Sequence, residues 1–275
     1  MDIKVSLFAS AVRIPFYKVF LDSLVGTTEK IEVVFCGPNT EKEIMEGFPG
    51  CLFIKEEDFI TEGFLTTMNY KGILFKYLHS KNIKPAQCYE AARRACRGET
   101  IAWTADDAEH TPDLYGKAYR FWKDLNNEKA ILSIQTEENG MYCNMKVHSF
   151  FGCQFHTPLM APLALMSGAY CEKLGGFDRR YICGQYENEC VMMAVADGGC
   201  VKIFGDRENK IILDHYRRHG IKRPFATGYN HDREILEKSW TDGKGKVSLV
   251  RNDNHEPYES EGILETSQSY KGQWE

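Results

Sequence analysis

Asp106 and Asp107 stand side by side in WTADDAEHTP, just after an apolar run and just before a proline. Like charges repel and neither belongs in an apolar core, so the pair asks for a positive partner. Hard divalent cations such as Mg2+ and Mn2+ take carboxylate oxygens, and Mg2+ is usually shared with substrate phosphates. An ion there would offset the repulsion within the pair and within a diphosphate. The plainer alternative is a turn whose solvated acids favour the start of the next helix. A second acidic group, Glu187 and Glu189, opens the helical run QYENECVMMAVADGG. Residues two apart on a helix point about 200° apart, so only one of the two can face a given cleft.

Such groups need a scaffold, and 275 residues suffice for one large core. Hydrophobic content of 43% and charged content of 27% are those of a soluble globular chain. A net charge of −5 argues against a nucleic-acid partner. The ten cysteines form no C-x-x-C pair, and MDIKVSLFAS lacks a signal-peptide pattern. They read as reduced, mostly buried small hydrophobes in a cytoplasmic protein. No transmembrane segment is expected, because the longest apolar stretch is broken by Pro158 and Pro162. From Arg251 to Glu275 the chain has six acids and two bases. This acidic tail reads as a solvated arm or a strap over a neighbouring subunit, which leaves a homo-oligomer open.

The pattern predicts a buried strand at 3–10, then a helix with Phe16, Val19, Phe20 and Leu24 on one face. A second strand, KIEVVFC, runs into the loop Gly37-Pro38-Asn39, and CLFIKEE predicts a third. From about Tyr70 to Cys96 the chain reads as mostly helical, with Pro85 at a helix start and Gly98 as a cap. TIAWTA predicts a further buried strand that ends at the acid pair. Thr111 and Pro112 predict the N-cap and first position of the next helix. Beyond it come strands, with Asn139-Gly140 as a hairpin turn, the acidic helix, and short strands at CVKIF and KIILDHY. Strand–helix alternation implies an α/β fold with a largely parallel central sheet flanked by helices and a smaller mixed-strand side. Ligands in such sheets bind outside the carboxyl ends of the strands, where the Gly-Pro-Asn loop and the acid pair both fall. One domain over 1–250 is expected, with halves at about 1–125 and 126–250 and the tail at 251–275.

The order of ARRACRGETIAW, ADDAEHTPDLY, SGAYCEKLGGFDRRY, the acidic helix and a late histidine resembles the GT-A nucleotide-sugar glycosyltransferases, in particular the family 2-like inverting enzymes. The resemblance covers about residues 3–220. It implies a GT-A fold and transfer of a sugar from a nucleoside-diphosphate donor to an acceptor hydroxyl, with inversion. It makes Asp107 the metal-binding acid for Mn2+ or Mg2+ and lets Asp106 reach the ribose. His215 in ILDHYRRHG becomes a further ligand to the metal or diphosphate, with His219 less favoured. Ser10, Ala11 and Arg13 fall in the family's nucleotide-binding loop. Asn39 stands where an acid often holds the base, and Arg93 or Arg94 is placed near the diphosphate. Arg217, Arg218, Lys222 and Arg223 can hold the diphosphate or form a solvated basic loop. The departures are Ala105 at the family's first Asp and Glu187-Asn188-Glu189 at its late acid pair.

Inverting transfer needs a carboxylate that takes the acceptor's proton, and Glu187 is favoured over Glu189 for that role. The acceptor is a glycan, lipid or protein that the sequence does not name. A nucleotidyltransferase can share the sheet and the acids, but ASAVRIPFYK lacks that class's glycine-rich loop. A nucleotide-sugar-binding protein that has lost catalysis is the non-enzyme alternative, carried by Ala105 and Asn188. No G-x-G-x-x-G follows the first strand, which argues against a dinucleotide enzyme.

Overall fold

A computed structural model describes residues 2–58, 63–80, 84–143, 149–150, 153–154, 161–213, 229–242 and 247–258. The chain opens with β1 (Val5–Ser10), α1 (Ile14–Leu24) and β2 (Ile31–Gly37). Every residue of β2 is buried, and its side chains alternate between two cores. Val33 and Phe35 join one, Val34 and Cys36 the other. A strand covered on both faces reads as one apolar run, which is why β2 is so plain in the sequence. A capping box between Thr40 and Glu43 starts α2 (Glu41–Gly47), which leads to β3 (Phe53–Asp58).

The expected helix from about Tyr70 is corrected here. Residues Gly63–Tyr70 and Ile73–His79 form a hairpin, β4 and β5. Its two-residue turn places Lys71 at φ 50° and Gly72 at φ 91°, both in the left-handed region that suits the twist of paired strands. Ile73, Phe75 and Tyr77 recur every second residue and share one core, a strand period that a helical reading overlooks. The helix α3 (Pro85–Arg94) starts only at the proline.

Next come β6 (Thr100–Trp103), β7 (Ala108–His110) and α4 (Leu114–Asp124). Thr111 is not the N-cap expected of it. Its hydroxyl and backbone bond to Lys210 across a strand pair, and Asp113 at φ 56° is the residue before the helix. The Asp113 carboxylate accepts from the Thr28 amide at 2.9 Å and from Arg120 at 2.8 Å. The later elements are β8 (Ala130–Ile134), β9 (Thr136–Glu138), β10 (Met141–Tyr142), β11 (Ser149–Phe150), β12 (Cys153–Gln154) and β13 (Ala164–Ser167). They continue as α5 (Gly168–Lys173), α6 (Tyr186–Ala196), β14 (Cys200–Phe204), β15 (Ile211–Leu213) and α7 (Tyr229–Trp240). Asn139 and Gly140, at φ 51° and 79°, make the expected turn between β9 and β10.

Among the described residues the main sheet has nine strands in the order β14-β8-β13-β6-β1-β2-β5-β4-β3. Only β13 and β4 run against the rest, so the sheet is mostly parallel. It crosses the expected midpoint near residue 126, because β8 and β14 lie in the same sheet as β1. A smaller mixed sheet, β10-β9-β15-β7, stands beside it. One core packs α1, α2 and α4 on the sheet through Phe20, Ile44 and Tyr115. The other packs α3, α5, α6 and α7 through Ala91, Tyr170, Val191 and Trp240. Side chains the size of Phe20, Ile44 and Val191 each contribute about 1.5–3 kcal/mol by leaving water.

Residues 251–258 are not the solvated arm expected at that point. Tyr258 is buried in the second core, and Arg251, Asp253, His255 and Glu256 are ion-paired to the body of the chain. The remainder of the expected tail lies outside the described residues. The described cysteines are free; Cys36, Cys88, Cys171 and Cys190 are buried, and the other five are half-buried. Among the described residues no helix is long and apolar enough to cross a membrane.

Candidate active site

A cavity of about 290 Å³ opens at the carboxyl ends of β1 and β6, where a parallel sheet presents its ligands. That is close to the lower end of the roughly 300–1,000 Å³ usual for ligand pockets. Ser10 lines it from the end of β1 and Arg13 from the turn that follows, and Ala105 and Asp106 from the turn after β6. Pro85 and Tyr89 reach it from α3, and Cys183, Gly184, Tyr186 and Glu187 from the start of α6.

Asp106 is almost fully buried, and the protein itself engages both its oxygens. Oδ2 accepts the amides of Val12 at 2.8 Å and Arg13 at 3.0 Å. Oδ1 accepts Nε of Arg13 at 2.8 Å and a second bond from Nη2 of the same guanidinium. Nη1 of Arg13 reaches Oδ2 of Asp107 at 2.5 Å. The two carboxylates raise the Arg13 pKa against the opposing effect of burial. The positive partner that the acid pair calls for is thus an arginine of the same chain.

Glu187 has a different environment. Its Oε2 is buried and has no hydrogen-bond partner among the described residues. Burial pushes its carboxyl up to about 7, and the charge of Asp232 adds to the rise, while its own backbone amide opposes it. Tyr186 stacks near Tyr89 at 4.9 Å between ring centres. The Tyr89 hydroxyl donates to the Thr104 carbonyl at 2.6 Å, which fixes this wall to the end of β6. A carboxyl whose pKa is raised by burial beside an aromatic wall is suited to accept a proton from a hydroxyl.

Solved structures of S. aureus TarS, a GT-A-type glycosyltransferase, share this architecture. TarS 1–349 matches with a TM-score of 0.54 at 12% identity, over 77% of this chain and 60% of that one. Its complex with UDP-GlcNAc matches at 0.52 and 12%, over 82% and 62% of the two chains. Its complex with UDP matches at 0.52 and 12%, over 89% and 68%. The chain has a GT-A fold. It spans about 60% of the length of the TarS 1–349 chain. No family model and no curated protein sequence matches it.

Within this GT-A fold the sequence candidates separate. Ser10, Arg13, Asp106 and Glu187 converge on the cavity. Ala11 is fully buried beside it, with its carbonyl taking the Tyr77 hydroxyl at 2.9 Å. A side chain at Gly37 would collide with that carbonyl and with the Tyr77 hydroxyl, so a glycine is required there. Asn39 is spent on Tyr17 of α1 and Tyr77 of β5. Its side chain donates to the Tyr17 hydroxyl at 2.8 Å, and its amide donates to that of Tyr77 at 3.2 Å. Trp103 closes the cavity floor, but its indole donates to the Ala161 carbonyl and its ring packs in the core.

Arg93 and Arg94 do not join the cavity. They leave the far end of α3 and line a separate cavity of about 580 Å³ with Arg97 and Tyr258. Arg93 pairs with Glu90 and Glu172, both at 2.7 Å, and Arg94 with Glu90 and the Tyr258 carbonyl, both at 2.9 Å. Pro85 and Tyr89 already use the cavity end of α3, so residues a turn or two later on the helix lie beyond reach.

Glu189 turns away from Glu187, as helical geometry requires. It pairs with Arg251 at 2.6 Å and lies 3.7 Å from His255. Asp178, Glu189 and His255 bring potential ligand atoms within 4.8 Å of one another. Arg251 and Arg180 bind the same Asp178 carboxylate, and His255 is pushed up to about 9 by the two acids. A protonated imidazole and two guanidinium groups make this cluster an ion-pair network that holds residues 251–258. His215, His219, Arg217, Arg218, Lys222 and Arg223 lie outside the described residues. Asp232, whose carboxylate gathers the amides of Ile182, Cys183 and Gly184, was missed by the sequence reading. No local signal marks it, because those partners are about fifty residues away.

Proposed function

We propose that the chain transfers a sugar from a nucleoside-diphosphate donor to an acceptor hydroxyl, with inversion, and that Glu187 is the base. The observation that carries this is Glu187 on the wall of the cavity at the strand ends, with a buried, unpartnered Oε2 and its carboxyl pushed up to about 7. The likeness to TarS, which has been solved with UDP and with UDP-GlcNAc, supports the donor class. Arg13 and Ser10 would meet the nucleotide, and the Tyr89–Tyr186 wall would exclude water from the reacting centre. The acceptor belongs to the glycan, lipid or protein class with a free hydroxyl. A cytoplasmic setting, consistent with the free cysteines, belongs to the same reading.

The expected cofactor, Mn2+ or Mg2+, does not fit the acid pair as it is arranged here. Both Asp106 oxygens are engaged, and Asp107 Oδ2 is held by Arg13. No step of the reaction is therefore routed through an ion. Metal dependence would require Arg13 to release Asp107 first.

Thermal shift with UDP, GDP and dTDP, each with Mn2+ and with EDTA, tests the site. Stabilisation by one nucleotide is the expected result, and stabilisation by none removes the donor class. Comparing EDTA with Mn2+ decides whether a metal takes part. A nucleotide-binding chain that shows no transfer and no donor hydrolysis would instead be the non-catalytic binding protein. The commitment of the acid pair to Arg13 is the feature that favours that second reading.

A further inference from the structure

Asp232 sits on α7, outside the cavity, and is fully buried. Its Oδ1 accepts the Ile182 amide at 2.9 Å, and its Oδ2 accepts the amides of Cys183 at 2.7 Å and Gly184 at 2.8 Å. Three successive amides converging on one carboxylate form a concave anion cradle, closed here by a side chain of the same chain. The cradled loop leads directly into α6. Its Cys183 and Gly184 line the cavity, and Gln185 at φ 66° turns the chain so that Glu187 faces inward. The Ile182 carbonyl in turn accepts the Ala86 amide at 3.0 Å, which ties the same loop to the first turn of α3.

We propose that Asp232 is a positioning residue for the transfer reaction, fixing the loop from which Glu187 faces the cavity and setting the charge that Glu187 experiences. This rests on the reading of Glu187 as the base. A neutral aspartate partner would leave three amides less strongly held, since bonds to an ionised acceptor are roughly twice as strong as neutral ones. Burial is the main cause of the raised Glu187 carboxyl, and the charges near it add to that; His231 Nδ1 stands 3.1 Å from the Asp232 carboxylate. Asp232 from α7 repels its charged form. Lys84, before α3, faces Asp232 and has its own pKa lowered by burial. Tyr89 of α3 and Tyr186 of α6 are neutral, with pKa values raised by burial. Arg13 lines the same cavity with its charge offset by Asp106 and Asp107.

Asp232→Asn keeps one oxygen for the loop and removes the charge. Infrared difference titration of the carboxyl stretch, identified as the band absent in Glu187→Gln, reads the Glu187 proton without requiring turnover. Glu187 is expected to titrate near 7 in the unaltered protein and to lose its proton at lower pH in Asp232→Asn. An unmoved titration in a folded Asp232→Asn protein overturns the proposal. Hydrogen exchange of the unaltered protein covers the case in which that variant does not fold. The amides of residues 182–184 should exchange as slowly as those of the sheet, and exchange at open-loop rates overturns the proposal as well. Donor hydrolysis that survives Glu187→Gln in full refutes the base assignment instead, so the two failures are distinguishable.

Discussion

Arg13 holds Asp106 by side chain and backbone at once: its own amide donates to one carboxylate oxygen at 3.0 Å while Nε donates to the other at 2.8 Å. The turn after β1 is thereby folded onto the turn after β6, and the two strand ends share one rigid wall of the cavity. A buried pair of this kind is costly to break by removing one partner, because the remaining charge has nothing to offset it.

Arg13→Ala should therefore lower unfolding stability by about 3 kcal/mol. Arg13→Lys should recover only part, since an ammonium cannot reproduce the two-pronged bond to Asp106. Denaturant melts at pH 7 measure both, and an unchanged midpoint in Arg13→Ala would contradict the role given to this pair. If a divalent ion can replace the guanidinium, Mn2+ should raise the melting temperature of Arg13→Ala more than that of the unaltered protein.

Glu187 and Glu189 should behave as opposites despite their spacing. Glu187→Gln is expected to cost about 10²–10⁴ in transfer or donor hydrolysis and to raise stability at pH 8. An acid whose folded pKa stands at about 7, above its ordinary 4.5, destabilises the fold wherever the unfolded chain is ionised. Glu189→Gln should weaken the fold, because Arg251 loses a fully buried partner. Paired melts and activity measurements decide this, and a reversed pattern would move the base to Glu189.

The pH dependence of the reaction follows from the same carboxyl. A base works only when deprotonated, so the donor-saturated rate should climb as pH rises through about 7 and then level off. A rate already flat from pH 5 would argue against Glu187 as the titrating group.

His255 makes the attachment of residues 251–258 sensitive to alkali. Its folded pKa of about 9 exceeds the ordinary 6.5 because Asp178 and Glu189 face it. The stability it adds is complete below pH 6.5 and fades as pH rises through 9. The difference in melting stability between the unaltered protein and His255→Gln should be about 3 kcal/mol at pH 6 and shrink towards zero above pH 9.

Arg93→Ala should destabilise the chain while leaving UDP affinity within about twofold, because the guanidinium serves Glu90 and Glu172 at a second cavity. Calorimetric titration with UDP checks it. A large loss of affinity would return Arg93 to the diphosphate.

Much of the scaffold could be read from local patterns. The all-buried run of β2, the apolar run of β6 and the proline at the start of α3 each announce their element through neighbouring residues alone. The hairpin β4–β5 was hidden because Tyr70, Ile73, Leu74, Tyr77 and Leu78 also fit a helical count; the period-two run Ile73, Phe75, Tyr77 and the left-handed Lys71-Gly72 turn separate the two. The C-terminal residues 251–258 were hidden for another reason. Their charges suggest a solvated arm until Asp178 and Glu189, many residues earlier, are placed opposite them.

The amino-acid sequence by itself showed a buried strand running up to two adjacent acids, whose repulsion either a positive partner or solvent must relieve. It also determined that Glu187 and Glu189 cannot share a cleft, because helical rotation is a local property. Only the tertiary structure decided that Arg13 supplies the charge, that Glu187 is the one facing the cavity, and that Asp232 holds the loop beneath it. Each of these pairs groups far apart in the chain, and such pairings are set by how the sheet orders its strands.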